Sequence, residues 1–500
     1  MNMKSVLPKI GLYLALILVS CSKDFLDQVP LGSQVASSTS DYDQLMNSPD
    51  FYYYKGGNWL TPELMGDDVA AEGPFFNQGS VTMQRLFQWQ DVIYPANEGV
   101  EPVDLSTQLA NLYTVNKIIN EVMGSTGGTD SQKISLRAEA LATRAWLNFQ
   151  FICFYGKPYQ VSSAATDPGW PIIKIADIAV QNYTRASVQQ VYDFILQDLD
   201  TAILSLPITP KIRTRMSRSA AEGLKGKVLL FMGRYSDALP EFNAAFSDLA
   251  TSGDVVLYDY NVTMAPGGSF QPFSPFNGPN GPGNNQNDLT EAVILKVFFN
   301  GPMQSVGASG SQNAGVLGNN GLVLTPQTAA LYDPSDWRLQ LYSPTFLNNT
   351  PNPSGRLRKY GISFSRFGLQ LSELYLLSAE CKARLNDLSG AVTDVGALRV
   401  TRLPPAAAGV PPAVASDQLS LIKFIIDERT REFAAEGYRW FDMRRLSVDP
   451  LFAGQTFTHT MYNDDSTNST TSYTLRQPQR LTLQLPQAFI NANPGMQNNP

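Results

Sequence analysis

A recurring spacing of small and aromatic residues limits most of what this chain can fold into. In AAEGLKGKVLLFMGRYSDALPEFNAAF, Gly226, Gly233, Tyr235, Ala238, Phe242 and Ala245 stand at the steps expected of two antiparallel helices. Small side chains let the helices approach, and the aromatic ring fills the gap between neighbouring pairs. The same spacing returns at Ala379, Asn386, Leu388, Ala391, Val395 and Leu398. Ile195, Leu199, Ala202 and Pro207 fit the second helix of an earlier pair, whose first helix lies beyond an insertion, Gly156–Arg185.

Units of about 34 residues built this way are tetratricopeptide-like. The expected fold is therefore mainly α, a tetratricopeptide-like helical-repeat scaffold with long irregular loop insertions and minor β structure. Other helices are expected at Thr39–Met46 and at Leu105–Val122, where Leu109, Leu112, Val115, Ile118 and Ile119 share one face. A buried helix is expected at Leu136–Gly156, closed by Gly156 and Pro158. SVQQVYDFILQDLDTAILSLP is opened by a Ser187 cap and stopped by Pro207. Met264–Asp288 and Gly301–Gly321 are rich in Gly, Asn, Pro and Ser and read as loops, with AVILKVFF between them as a short extended piece. PPAAAGVPPAVAS reads as a third loop, and TPELMGDDVAAEGPFFNQGS as a fourth.

The formal net charge of −7 gives no basic face for a phosphate backbone, so no nucleic-acid partner is expected. The single histidine, His459, lies in a polar segment and reads as a solvated loop residue. Histidine chemistry and a His-rich metal site are thereby disfavoured. Asp67-Asp68 and Asp464-Asp465 are adjacent pairs whose side chains diverge, unlike the two carboxylates about 5–9.5 Å apart of a glycosidase. With no nucleophile elbow, P-loop or HExxH, neither an enzyme nor a cofactor nor a metal is expected. Cys153 and Cys381 sit in apolar helical patterns as small buried hydrophobes, and whether they pair is left open.

Lys4 and Lys9 precede the apolar run Ile10–Val19, too short to span a bilayer and laid out like a secretory signal, residues 1–20. It ends in Leu18-Val19-Ser20-Cys21, which resembles the lipobox of bacterial lipoproteins, with Cys21 as the acylated residue. Far downstream, Leu421–Leu446 begins as an amphipathic helix with Ile422, Ile425, Ile426 and Phe433 on one face. Asp427 and Arg431, Glu428 and Glu432, and Glu428 and Arg431 stand three or four apart, a lattice of helix-surface charges. Gly437 breaks the pattern, and Tyr438, Trp440 and Phe441 follow among Arg439, Asp442, Arg444 and Arg445, which suggests a packed ion-pair junction rather than an active site.

The run ERTREFAAEGYRWFDMRR closely resembles the C-terminal signature of the SusD/RagB family of surface lipoproteins. CSKDFLD resembles the opening of a mature member, and RLTLQLPQAFINANPGMQNNP the closing segment. The resemblance implies one SusD-like domain over 21–500, helical to 260, loop-rich over 261–330, and completed by 331–500 with the signature at 421–446. It implies a protein anchored to the outer membrane through Cys21 and exposed at the cell surface. There it would bind an oligosaccharide or other nutrient, glycan or peptide, and deliver it to a SusC-type TonB-dependent transporter. Ligand contacts in this family often lie early in the chain, which points to Asp68, Phe75, Phe76, Asn77, Trp89 and Tyr94, with Asn97 close by. The alternative is a tetratricopeptide-type assembly lipoprotein without a small ligand.

Overall fold

The computed structural model describes residues 36–55, 60–95, 103–180, 182–271, 278–299, 321–346, 350–352, 355–360, 364–464 and 469–500. The leader 1–20, Cys21, Asn97, Asp465 and the stretch from Gly301 to Asn320 lie outside the described residues. The longer helices are α1 (Thr39–Leu45), α2 (Leu60–Met65), α3 (Val81–Phe87), α4 (Val103–Glu121), α5 (Asp130–Tyr155), α6 (Val188–Ile203), α7 (Arg218–Phe231), α8 (Tyr235–Ser252), α9 (Leu371–Arg384), α10 (Leu388–Arg399), α11 (Gln418–Phe433), α12 (Tyr438–Leu446) and α13 (Gln487–Ala492). The fold is mainly helical and tetratricopeptide-like. Its packed pairs are α5 with α6, α7 with α8 and α9 with α10.

Local chemistry explains where these helices start and turn. Thr129 and Gln132 form a capping box that starts α5 at Asp130, six residues before the expected Leu136. Ser187 and Gln190 form another at the expected start of α6. The turns inside the two clearest repeats share one device. Gly233, between α7 and α8, has φ +73°, and Asn386, between α9 and α10, has φ +65°. Glycine and asparagine are the residues that enter this left-handed region at least cost. Gly226 faces the ring of Phe242, where an added Cβ would lie 2.6 Å from the nearest ring atom. Gly226→Val is therefore expected to force the α7–α8 pair apart and cost about 1–3 kcal/mol, read as a lower urea midpoint. Adding Phe242→Leu should recover part of the loss.

The strands are short: β1 (Tyr53–Lys55), β2 (Val69–Glu72), β3 (Ala292–Ile294), β4 (Val297–Phe299), β5 (Leu322–Leu324), β6 (Tyr342–Ser343), β7 (Arg358–Lys359), β8 (Phe364–Arg366), β9 (Leu369–Gln370), β10 (Thr458–Tyr462) and β11 (Thr470–Thr474). The main sheet has the order β11-β10-β2-β5, with β10 parallel to β2 and antiparallel to β11. A second sheet has the order β1-β4-β8, and β3–β9 and β6–β7 form pairs. AVILKVFF thus supplies two strands to different sheets. One hydrophobic cluster joins core residues from Tyr42 to Leu485.

Several expectations need correction. TPELMGDDVAAEGPFFNQGS is not a loop: it holds all but the first residue of α2, the whole of β2 and a helical turn at Gly73–Phe76. Its acids, Gly and Pro mask Val69-Ala70-Ala71, which is buried throughout. PPAAAGVPPAVAS contains a turn of helix, Pro412–Ala415. Cys153 and Cys381 are buried free thiols and do not pair. His459 is not solvated: it lies on β10 and is fully buried. Its ring stacks between Phe87 and Trp89, at 4.2 and 3.8 Å, and its two nitrogens lie 2.6 Å from the carbonyl oxygens of Phe87 and Gly66.

Candidate functional site

The signature Leu421–Leu446 folds as two helices, α11 and α12, joined through Ala435 and Gly437, both at positive φ. Most of its charges are not on a helix surface: Glu428, Arg429, Arg431, Asp442, Arg444 and Arg445 are buried, whereas Lys423 is exposed and Asp427 half-buried. Glu428 is fully buried and receives Arg338 Nη2 at 2.7 Å, Arg399 Nη1 at 2.6 Å and Arg431 Nη2 at 2.6 Å. Burial opposes ionisation of Glu428, but the guanidiniums of Arg338, Arg431 and Arg399 outweigh it and hold the carboxyl well below the usual range. Arg402 bridges Glu432 and Glu291 beside this cluster. A second cluster pairs Arg445 with Glu380 and Asp442, and Arg429 with Asp442 and Glu373. These carboxylates are engaged by guanidiniums rather than poised as general acids or bases, so the signature acts as an electrostatic clamp on the helical core. Among the described residues no group of three or more His, Cys, Asp and Glu could hold a metal ion.

The clamp reaches the segment expected to bind ligand. Asp67 accepts from Arg439 Nε at 2.5 Å, and Asp68 accepts from the Ala435 amide at 2.7 Å. Asp68 is buried, and burial pushes its carboxyl up to about 6. Its role is to hold the α11–α12 turn, where a non-glycine residue sits at φ +56°. Phe76 is fully buried against Phe87 at 4.8 Å. Trp89 is 4% exposed, lies on the His459 ring and donates its indole N–H to the Met65 carbonyl. The structure therefore makes Asp68, Phe76 and Trp89 internal supports, out of reach of a ligand arriving from solvent.

The other expected contacts lie at the surface. Phe75 is half-buried with its ring 4.8 Å from that of Phe346, Asn77 is exposed, and Tyr94 is half-buried. Sequence reasoning missed a neighbour. Tyr462 stands opposite Glu72 across β10 and β2, half-buried, with Arg356 3.8 Å over its ring. Arg356 is held in turn by both oxygens of Glu72. The signal was the alternation in THTMY, which puts Thr458, Thr460 and Tyr462 on one face of a strand. Phe75, Asn77 and Tyr462 follow from β2 and β10, the two central strands of the main sheet, and so stand on a rigid base.

A family model described as the SusD family matches residues 347–500. A second, described as starch-binding and associating with the outer membrane, matches residues 24–230. The chain belongs to the SusD/RagB family. Solved SusD structures share its fold along nearly their whole length. A SusD superfamily protein from Bacteroides thetaiotaomicron is 19% identical, covers 93% of this chain and 100% of its own, and superposes with a TM-score of 0.67. One from Bacteroides vulgatus is 22% identical, covers 93% and 99%, and scores 0.66. A laminarin-binding SusD-like protein is 15% identical, covers 93% and 100%, and scores 0.59. At these identities the likeness is one of fold. No curated protein matches the chain.

Proposed function

We propose that this SusD-family protein is a surface lipoprotein, anchored through Cys21, that binds an oligosaccharide and delivers it to a SusC-type TonB-dependent transporter without altering it. The observation that carries the reading is the match of residues 24–230 to a family described as starch-binding and associating with the outer membrane. That part of the chain contains the surface residues Phe75, Asn77 and Tyr94. A half-exposed aromatic ring beside an amide is the pairing that stacks on a sugar face and reads its hydroxyls. The laminarin-binding relative supports a glycan over a peptide as the cargo. The engaged carboxylates of the signature clusters support binding without turnover.

Calorimetry against neutral oligosaccharides from starch and laminarin tests the binding. Saturable uptake is expected, with Phe75→Ala weakening it about tenfold. No shortened sugar should appear on prolonged incubation. Absence of saturable uptake across the panel would favour an assembly scaffold, and shortened product an enzyme. Fractionation tests the anchor: Cys21→Ser should move the protein from the membrane to the soluble fraction, since stable attachment needs more than one acyl chain and a lipoprotein cysteine carries several. A barrel that co-purifies with the wild type from native envelopes supports delivery.

A further inference from the structure

Asp427, on α11, does not join the charged clamp that engages its neighbour Glu428. It has no hydrogen bond or ion pair among the described residues, although Arg431, Arg439 and Lys423 are its electrostatic neighbours. It lies instead in an open groove between α11, α12 and the strand β10. The groove has two adjoining lobes of about 460 and 360 Å³, which share Asp427, Arg439 and Gln455.

The lobes differ in character. Along the smaller one, the pleat of β10 and the residues before it turns Phe457, His459 and Met461 inward. Thr456, Thr458 and Thr460 consequently point outward and line the lobe. Their hydroxyls, and the side-chain amides of Gln327 and Gln455, have no partner among the described residues. The larger lobe is walled by Phe452, half-buried on its turn, and by Ile426 and Leu451. The groove lies across β10 from Trp89 and Phe87, and Phe75 does not line it.

We infer that this groove is a second oligosaccharide-binding site, taking a short run of neutral sugar residues. Charge decides the class of ligand. Asp67 and Asp427 face Arg439 and Lys423, so two negative and two positive groups cancel and neither an anion nor a cation is favoured. Hydrogen-bonding capacity is in large excess: three hydroxyls, two amides and one unengaged carboxylate face the same opening. A neutral polyhydroxyl ligand satisfies such a set. The Phe452 ring offers the flat apolar wall against which the C–H face of a pyranose stacks. Arg439 is pinned by Asp67 and keeps a fixed orientation in the floor.

The inference rests on the sugar-binding reading above, and one experiment separates the two. The soluble Cys21→Ser protein is titrated by calorimetry with neutral oligosaccharides of starch, laminarin, xylan and mannan. Two bound oligosaccharides per chain are expected. Asp427→Asn combined with Gln455→Ala should remove one of them, by weakening it about tenfold or more, and leave the other intact. Thr458→Val, a surface change of similar volume, should act in the same direction, and unchanged thermal midpoints confirm that the variants fold. Affinity at the groove should not change between about 0.05 and about 0.5 M salt, because the ligand is uncharged. Loss of all binding by Phe75→Ala, with no effect of the groove variants, overturns the second site and leaves the first. Loss of the only site by the groove variants supports the groove and removes Phe75 from the binding surface. No binding by the parent protein overturns both.

Discussion

Replacing Glu428 with glutamine is expected to cost about 3–5 kcal/mol of folding stability, more than any other change proposed for this chain. The change is nearly isosteric, so the loss isolates the charge. Three guanidiniums converge on the Glu428 oxygens, and the residue is fully buried. Glutamine keeps one acceptor oxygen and turns an NH2 donor toward arginine donors, leaving positive charge buried with too little compensation. Urea unfolding at neutral pH should show a lower midpoint with an unchanged slope. A loss below about 1 kcal/mol would mean that the cluster behaves as a solvated surface pair. Acid sensitivity should change as well. The folded-state pKa of Glu428 is depressed, so its contribution is present above the unfolded value and is lost as pH falls toward the folded one. Asp442, held at about 2 by Arg429 and Arg445 against the cost of its burial, adds to the same acid loss. The wild type should weaken steeply below about pH 4.5, and Glu428→Gln less steeply.

Glu63→Gln is expected to act in the opposite sense, stabilising the protein by about 3 kcal/mol at pH 7. Glu63 is 2% exposed on α2 and accepts a hydrogen bond from the Ser365 hydroxyl at 2.7 Å. Burial pushes its carboxyl up to about 8, with the Ser365 bond opposing the shift and the Glu436 charge adding to it. Below about pH 4.5 the group is protonated in both folded and unfolded chains and imposes no penalty. Between that value and 8 the unfolded chain ionises while the folded one stays protonated, so stability falls as pH rises through this window. Glutamine is neutral throughout and still accepts from Ser365. Thermal midpoints of the two proteins should converge near pH 4 and separate progressively toward about pH 8. Parallel profiles across that range would show that Glu63 is solvated.

The helical half of this architecture was legible because its signals are local. The Ser187 cap and the left-handed turn positions Gly233 and Asn386 act within a few residues of where they stand, and Gly226 meets Phe242 on the very next helix. The signature announced ion pairs, but not their depth. Glu428 is met by Arg338 and Arg399 from other parts of the chain, and no spacing within α11 encodes those partners. β2 was misread because a four-residue strand buried on both faces carries no alternation, and Asp68 and Gly73 at its ends look like turn chemistry. His459 was misread from the polarity of its neighbours, which belongs to the outward face of β10, although the alternation of THTMY was visible. The expected ligand segment fared unevenly for the same reason. Nothing local to Trp89 shows that a distant histidine will cover its ring, whereas Phe75 and Asn77 follow a buried strand and remain at the surface.

The two buried thiols give this protein a built-in clock for its own opening. Cys153 lies in α5 and Cys381 in α9, on different repeats, and burial raises both thiol pKa values, so neither is a ready nucleophile while its helix is closed. With Cys21 changed to serine no other sulfhydryl remains in the chain. A maleimide added to the native protein would then be consumed only as each helix exposes its sulfur. The two uptake rates, separated by mass spectrometry of the labelled peptides, would show whether the scaffold opens as one unit or releases one repeat before the other.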